Sequence, residues 1–164
     1  MSYKRTNMND IINIANEEFA MREIVCITNN GKEVKLRIQP KLNDTKVLEL
    51  VANLVERSDY CVKNNLQFEE LYNVYFLLIK YFTDIKFNTY KSVKKQLEYD
   101  LTAIKAIMDL GIFHQIMNYF DKDTMDRIQE TLNKQNKAMK IIANNQLKQI
   151  IDDEIQAKEE LENE

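Results

Sequence analysis

EIVCITNNGKEVKLRIQP, residues 23–40, is the stretch that decides the fold class. Its second half alternates, with Val34, Leu36 and Ile38 set against Glu33, Lys35, Arg37 and Gln39. That is the two-residue period of a half-buried strand. Asn30-Gly31 ahead of it supplies the central pair of a type I′ turn, where both φ angles are positive. Such a turn pairs Thr28 with Glu33, Ile27 with Val34 and Val25 with Leu36. The expected buried face is therefore Val25, Ile27, Val34 and Leu36, with Ile24 and Cys26 on the charged side. A lone two-stranded hairpin is marginal in water, so its apolar face is expected to cover helices or join a neighbour's sheet.

Outside this hairpin little interrupts the chain. Of 164 residues two are glycine, Gly31 and Gly111, and one is proline, Pro40. Phosphate-cradling loops and strained nucleophile turns need glycine at positive φ, so there is little room for them. The remainder reads as helix. Ile11, Ile12, Ala15 and Phe19 suggest a short amphipathic helix over Asn9–Phe19, or an ordering arm. After Pro40, Asn43 or Asp44 is placed to cap a helix carrying Val47, Leu48, Val51, Leu54 and Val55. Ser58–Asn65 reads as a polar connection. Gln67–Asp84 is apolar around most of its circumference, the mark of a central helix. Tyr90–Leu110 brings Val93, Leu97, Leu101, Ile104 and Met108 into line, and Gly111 suits its C-terminal cap. Ile112–Phe120 is a further short helix.

The last helix differs in kind. Met125, Ile128, Leu132, Gln135, Met139 and Ile142 follow alternating three- and four-residue steps, a coiled-coil-like seam. The seam loses phase at Asn144-Asn145 and resumes at Leu147, Ile150, Ile151 and Ile155. A helix from Thr124 to Ile155 would run roughly 48 Å, more than a domain of this size spans. Met139, Ile142, Leu147, Ile150, Ile151 and Ile155 are therefore the candidate protein interface, packing on another copy or another protein. The expected architecture is mainly α: a helical bundle with one N-terminal β-hairpin (1–121) and a long, polar C-terminal helix with an acidic tail (122–164).

The net charge of −3 lacks the basic footprint of a general nucleic-acid binder. Lys91, Lys94 and Lys95, near Tyr90 and Tyr99, form a modest basic patch, better read as a solvated helix face. Residues 1–10 lack the apolar core of an export signal, and no stretch approaches the ~20 apolar residues that span a bilayer. Cys26 and Cys61 have no metal-ligand spacing, and His114, the one histidine, has no cysteine nearby. Residues 121–126, DKDTMD, superficially suit a calcium loop, but Asp126 stands where glycine is needed and Leu132 where a bidentate Glu is needed. No catalytic, metal or cofactor site is expected, and an enzyme is not the expected function.

Residues 31–42, GKEVKLRIQPKL, followed by a Val/Leu-rich helix, resemble the opening of small virion-morphogenesis proteins of phages infecting low-GC Gram-positive bacteria. Residues 71–85, LYNVYFLLIKYFTDI, are similar to an aromatic helix ending in Tyr-(Phe/Tyr)-Thr-Asp in several of these proteins. The resemblance covers roughly Gly31 to Phe120; the long C-terminal helix has no counterpart in it. Some members look like tail-assembly chaperones, and others are virion components. The resemblance implies a non-enzymatic assembly or structural protein, whose partner is itself or another virion protein. Its place would be the host cytoplasm during assembly, or the virion. The alternative is a regulatory, nucleic-acid-associated helical protein using the lysine-bearing helix.

Overall fold

The computed structural model describes residues 7–120, 122–123, 125–134 and 137. The chain divides into two compact units, Met1–Met125 and Asp126–Glu164. The first holds α1 (Met8–Glu18), β1 (Arg22–Ile27), β2 (Glu33–Ile38), α2 (Asp44–Lys63), α3 (Glu70–Phe82), α4 (Val93–Asp109) and α5 (Ile112–Met117). The architecture is mainly helical with an N-terminal antiparallel hairpin, as the sequence predicts.

The hairpin register differs from the expected one by a residue. Ile27 lies opposite Glu33, Cys26 opposite Val34 and Ile24 opposite Leu36. The cause is the turn. Gly31 N–H donates to Thr28 O at 2.8 Å, and Thr28 N–H donates to Lys32 O at 2.8 Å, closing a three-residue loop, Asn29–Gly31. Only Gly31 in that loop has positive φ, at 76°, so the type I′ geometry is not adopted. A slip of one residue turns every side chain of a strand to the other face. Ile24 and Cys26 are consequently buried, whereas Val25 and Ile27 are 43% and 46% exposed. On β2, Leu36 and Ile38 are buried and Lys35 is exposed, as the alternation requires.

Beneath the hairpin, α2 packs on α3, α3 on α4, α4 on α5, and α5 returns to β1. Asn43 caps α2, its side-chain oxygen accepting from Lys46 N–H at 2.9 Å. Contrary to the polar connection expected at Ser58–Asn65, α2 continues through Lys63, because Arg57 and Cys61 extend its buried stripe beyond Leu54. It ends in a Schellman motif: Asn65 takes φ of 51°, Leu66 N–H donates to Cys61 O and Asn65 N–H to Val62 O.

In α3 four successive residues, Phe76, Leu77, Leu78 and Ile79, are buried, confirming it as the central helix. Burying each such side chain contributes roughly 1.5–3 kcal/mol. Gly111 follows α4 at φ 73° and lets the chain reverse into α5. In the second unit residues 126–134 are helical, with Ile128 and Leu132 buried. Lys137 is helical too, and the rest of the expected long helix, through Ile155, lies outside the described residues.

Candidate functional site

α1 forms for local reasons. Asn7 accepts from Asp10 N–H at 2.9 Å while Asp10 accepts from Asn7 N–H at 3.2 Å, a reciprocal capping box. Yet none of its eleven residues is buried. Met8, Ile11, Ile12 and Ile14 are 49–68% exposed, and the ion pair of Glu18 with Lys41 is exposed too. An isolated helix of this length is marginal in water. Its apolar stripe therefore stands open on the surface, and Met21, Val25 and Ile27 are exposed as well.

The hairpin itself is held by polar side chains from far along the chain. Asn29 donates through its Nδ2 to Asp109 O at 2.7 Å, and its N–H donates to Leu110 O at 3.1 Å. Both carbonyls belong to the end of α4, where helix geometry leaves acceptors unmet. Gln115 acts like the peptide group of a neighbouring strand. Its Oε1 accepts from Ile27 N–H at 2.9 Å and its Nε2 donates to Ile27 O at 2.7 Å. On the other edge, Arg37 N–H donates to Asp84 Oδ1 at 2.7 Å, and its guanidinium reaches Oδ2 at 3.0 Å. The Arg37 N–H and guanidinium hold the Asp84 carboxyl below its usual range.

A cleft of 530 Å³ opens between α2, α3 and α4, with Tyr60, Phe76, Phe87 and Tyr90 among its walls. Arg57, one of its lining residues, forms a buried ion pair with Asp100 at 2.6 Å. Arg57 also donates to Asn53 at 2.8 Å and Asn73 at 3.1 Å and lies over the Phe76 ring, while Gln96 donates to Asp100 at 2.7 Å. Gln96 ties the irregular segment above the cleft to α4 as well, through Asn88 O and Tyr90 N–H. Among the described residues no buried side-chain nitrogen or oxygen lacks a partner, so this network is a completed structural joint between three helices. Neither charge was singled out in the sequence. The available signal was phase, because Arg57 continues the Leu50, Leu54 stripe and Asp100 precedes Ile104 by four residues.

Of the proposed interface residues, Met139, Ile142, Leu147, Ile150, Ile151 and Ile155 all lie outside the described residues. Met125 is half-buried. His114 is exposed, its ring 5.8 Å from that of Phe113. Burial raises both the Cys26 and Cys61 thiols, which disfavours the nucleophilic thiolate. Among the described residues no group of His, Cys, Asp and Glu is gathered to hold a metal ion, and no helix is long and apolar enough to cross a membrane. Lys91, Lys94 and Lys95 are exposed, but the neighbouring tyrosines are occupied. The Tyr90 and Tyr99 rings pack on each other at 5.3 Å, and Tyr99 Oη accepts from Asn88 N–H.

Comparison with known proteins finds a family model, described as YomO, that matches residues 8–164. No curated protein and no solved structure gives a significant match.

Proposed function

The chain belongs to the YomO family, a phage-type family of the SPbeta region of Bacillus phage, and from that premise we propose that it is a phage assembly or virion structural protein acting through protein–protein contacts, without enzymatic chemistry. The observation that carries this reading is the open apolar stripe of α1, Met8, Ile11 and Ile12, with Met21, Val25 and Ile27 exposed besides. Contiguous exposed apolar surface marks interaction sites. A capped helix that buries none of its own residues is stabilised when a partner covers it.

Within that reading two roles differ in outcome. A tail-assembly chaperone acts in the host cytoplasm and leaves, whereas a virion component stays in the particle. Mass spectrometry of purified particles, together with co-purification from infected cells, tests the proposal. Co-purification with a capsid or tail protein that persists at high salt is the expected result, and presence in the particle then separates component from chaperone. Binding to DNA that weakens steeply with salt, with no such protein partner, would overturn the proposal in favour of a nucleic-acid role, because phosphate contacts release counterions.

A further inference from the structure

Antiparallel ladders alternate, so that each strand turns the N–H and C=O of every second residue toward its partner and the rest outward. Thr28 N–H bonds to Lys32 across the hairpin, whereas both backbone groups of Ile27 bond to Gln115 on the far side. The same alternation puts the N–H and C=O of Glu23 and Val25 on the outer edge of β1, in line with those of Ile27. No described residue bonds to them, and both side chains are exposed. On the opposite strand the corresponding edge is partly closed, since Gln39 N–H donates to Phe82 O and Asp84 N–H to Arg37 O. The open edge of β1 is therefore short and bounded: Gln115 plugs it at Ile27, and the strand begins at Arg22.

We propose that β1 pairs antiparallel with β1 of a second copy of this chain across a two-fold axis at Ile24, joining the two hairpins into one four-stranded sheet. In this register Glu23 of each copy exchanges hydrogen bonds with Val25 of the other, and every open donor and acceptor of both residues is used. Ile27 then faces Met21 of the other copy, just before that strand begins, so its bonds to Gln115 are left intact. A longer foreign strand continuing past Val25 would instead compete with the Gln115 carboxamide. In this register each Glu23 faces Val25 of the other copy, so the two Glu23 side chains are diagonal and no like charges stand directly opposite. Pairing also brings the exposed Val25 and Ile27 of both copies onto one face, and a sheet of that width is a stable unit where two strands are not. The inference rests on the hairpin being a contact surface, as in the proposed function, and names the second copy as its occupant.

The test is hydrogen exchange of the full chain, resolved to single amides, at about 1 μM and about 100 μM. The Glu23 and Val25 amides should exchange at least about tenfold more slowly at the higher concentration. Val25→Pro removes an N–H that the hairpin's own ladder does not use, and Val25→Glu sets a like charge directly opposite Glu23 of the other copy while facing Lys35 on its own hairpin. In both variants protection at Glu23 should be lost while Ile24 and Cys26 stay protected, and if the proline variant fails to fold, the glutamate variant decides. Identical exchange at both concentrations, protection at Glu23 surviving Val25→Glu, or protection appearing only when a purified particle protein is added would each overturn the proposal. These outcomes are read on purified protein. They are separate from the particle analysis that tests the phage role.

Discussion

Replacing Asp100 by alanine should cost more than its small volume suggests. The carboxylate is almost wholly buried and meets the Arg57 guanidinium at 2.6 Å. Removing one member of a buried ion pair strands the other charge and costs about 3–5 kcal/mol. Arg57 would retain two neutral acceptors, Asn53 and Asn73, each worth about 0.5–1.5 kcal/mol net, so the lower part of that range is expected. A loss of ~3 kcal/mol is a large share of the roughly 5–15 kcal/mol that holds a domain together. It should lower the thermal midpoint by about 10 °C or more. Gln96 would also lose an acceptor, loosening the segment it ties down through Asn88. Urea titration followed by far-UV circular dichroism at neutral pH measures the effect, with an unchanged slope as the two-state check. The double variant Arg57→Met, Asp100→Leu should recover wild-type stability or exceed it, since a well-packed apolar replacement of a buried pair is often neutral or stabilising. An Asp100→Ala protein within about 1 kcal/mol of wild type would refute the reasoning, as would a double variant no better than the single one.

Three further outcomes are expected. Gly111→Ala should destabilise by about 2–4 kcal/mol, because its Cβ would sit 2.5 Å from Asn29 Oδ1 at a φ of 73°; Gly31→Ala, with open space around it, should cost only about 1 kcal/mol, and equal losses in urea titrations would contradict this. Asp84→Asn should lower stability at neutral pH. Because the folded carboxyl titrates below its usual value, the difference from wild type should shrink as pH falls below the usual value and vanish once it has fallen through the lowered one, and a difference that persists in strong acid would contradict the assignment. Ile11→Ser with Ile12→Ser should leave urea stability within about 0.5 kcal/mol while weakening capture of the virion partner, and a marked loss of stability would show that α1 is covered within its own chain.

The helices and the alternating strand were legible because each carries its period in its own residues. The register of β1 was not, for a specific reason. Ile24, Val25, Cys26 and Ile27 are apolar on both faces, so alternation cannot choose between them. The choice fell to the turn, and Asn-Gly serves a two-residue loop and a three-residue loop alike, since glycine supplies positive φ in either. Asn29 is engaged in the observed loop, bonded to the end of α4, a contact that no local pattern encodes. The Ser58–Lys63 extension of α2 was obscured by polar composition, although Cys61 continues the buried spacing. α1 shows the reverse limit: its amphipathic period correctly gave a helix, but period alone does not say whether the apolar face is covered.

The long reach of the hairpin's polar ties has a consequence for synthesis. Asn29 waits for a carbonyl 80 residues further along, and Ile27 for a side chain 88 residues away. At about 5–20 residues per second, a ribosome takes roughly 4–16 s to deliver the end of α4 after the turn has been made. Throughout that interval the hairpin emerges without its latches, with the β1 edge open along its full length and Ile27 not yet plugged by Gln115. Nascent chains on one message are then held close together, each presenting the same unguarded strand. Completion of α4 and α5 shortens the exposed edge to Glu23 and Val25, so the late arrival of Gln115 sets how much of the strand remains available to a neighbour.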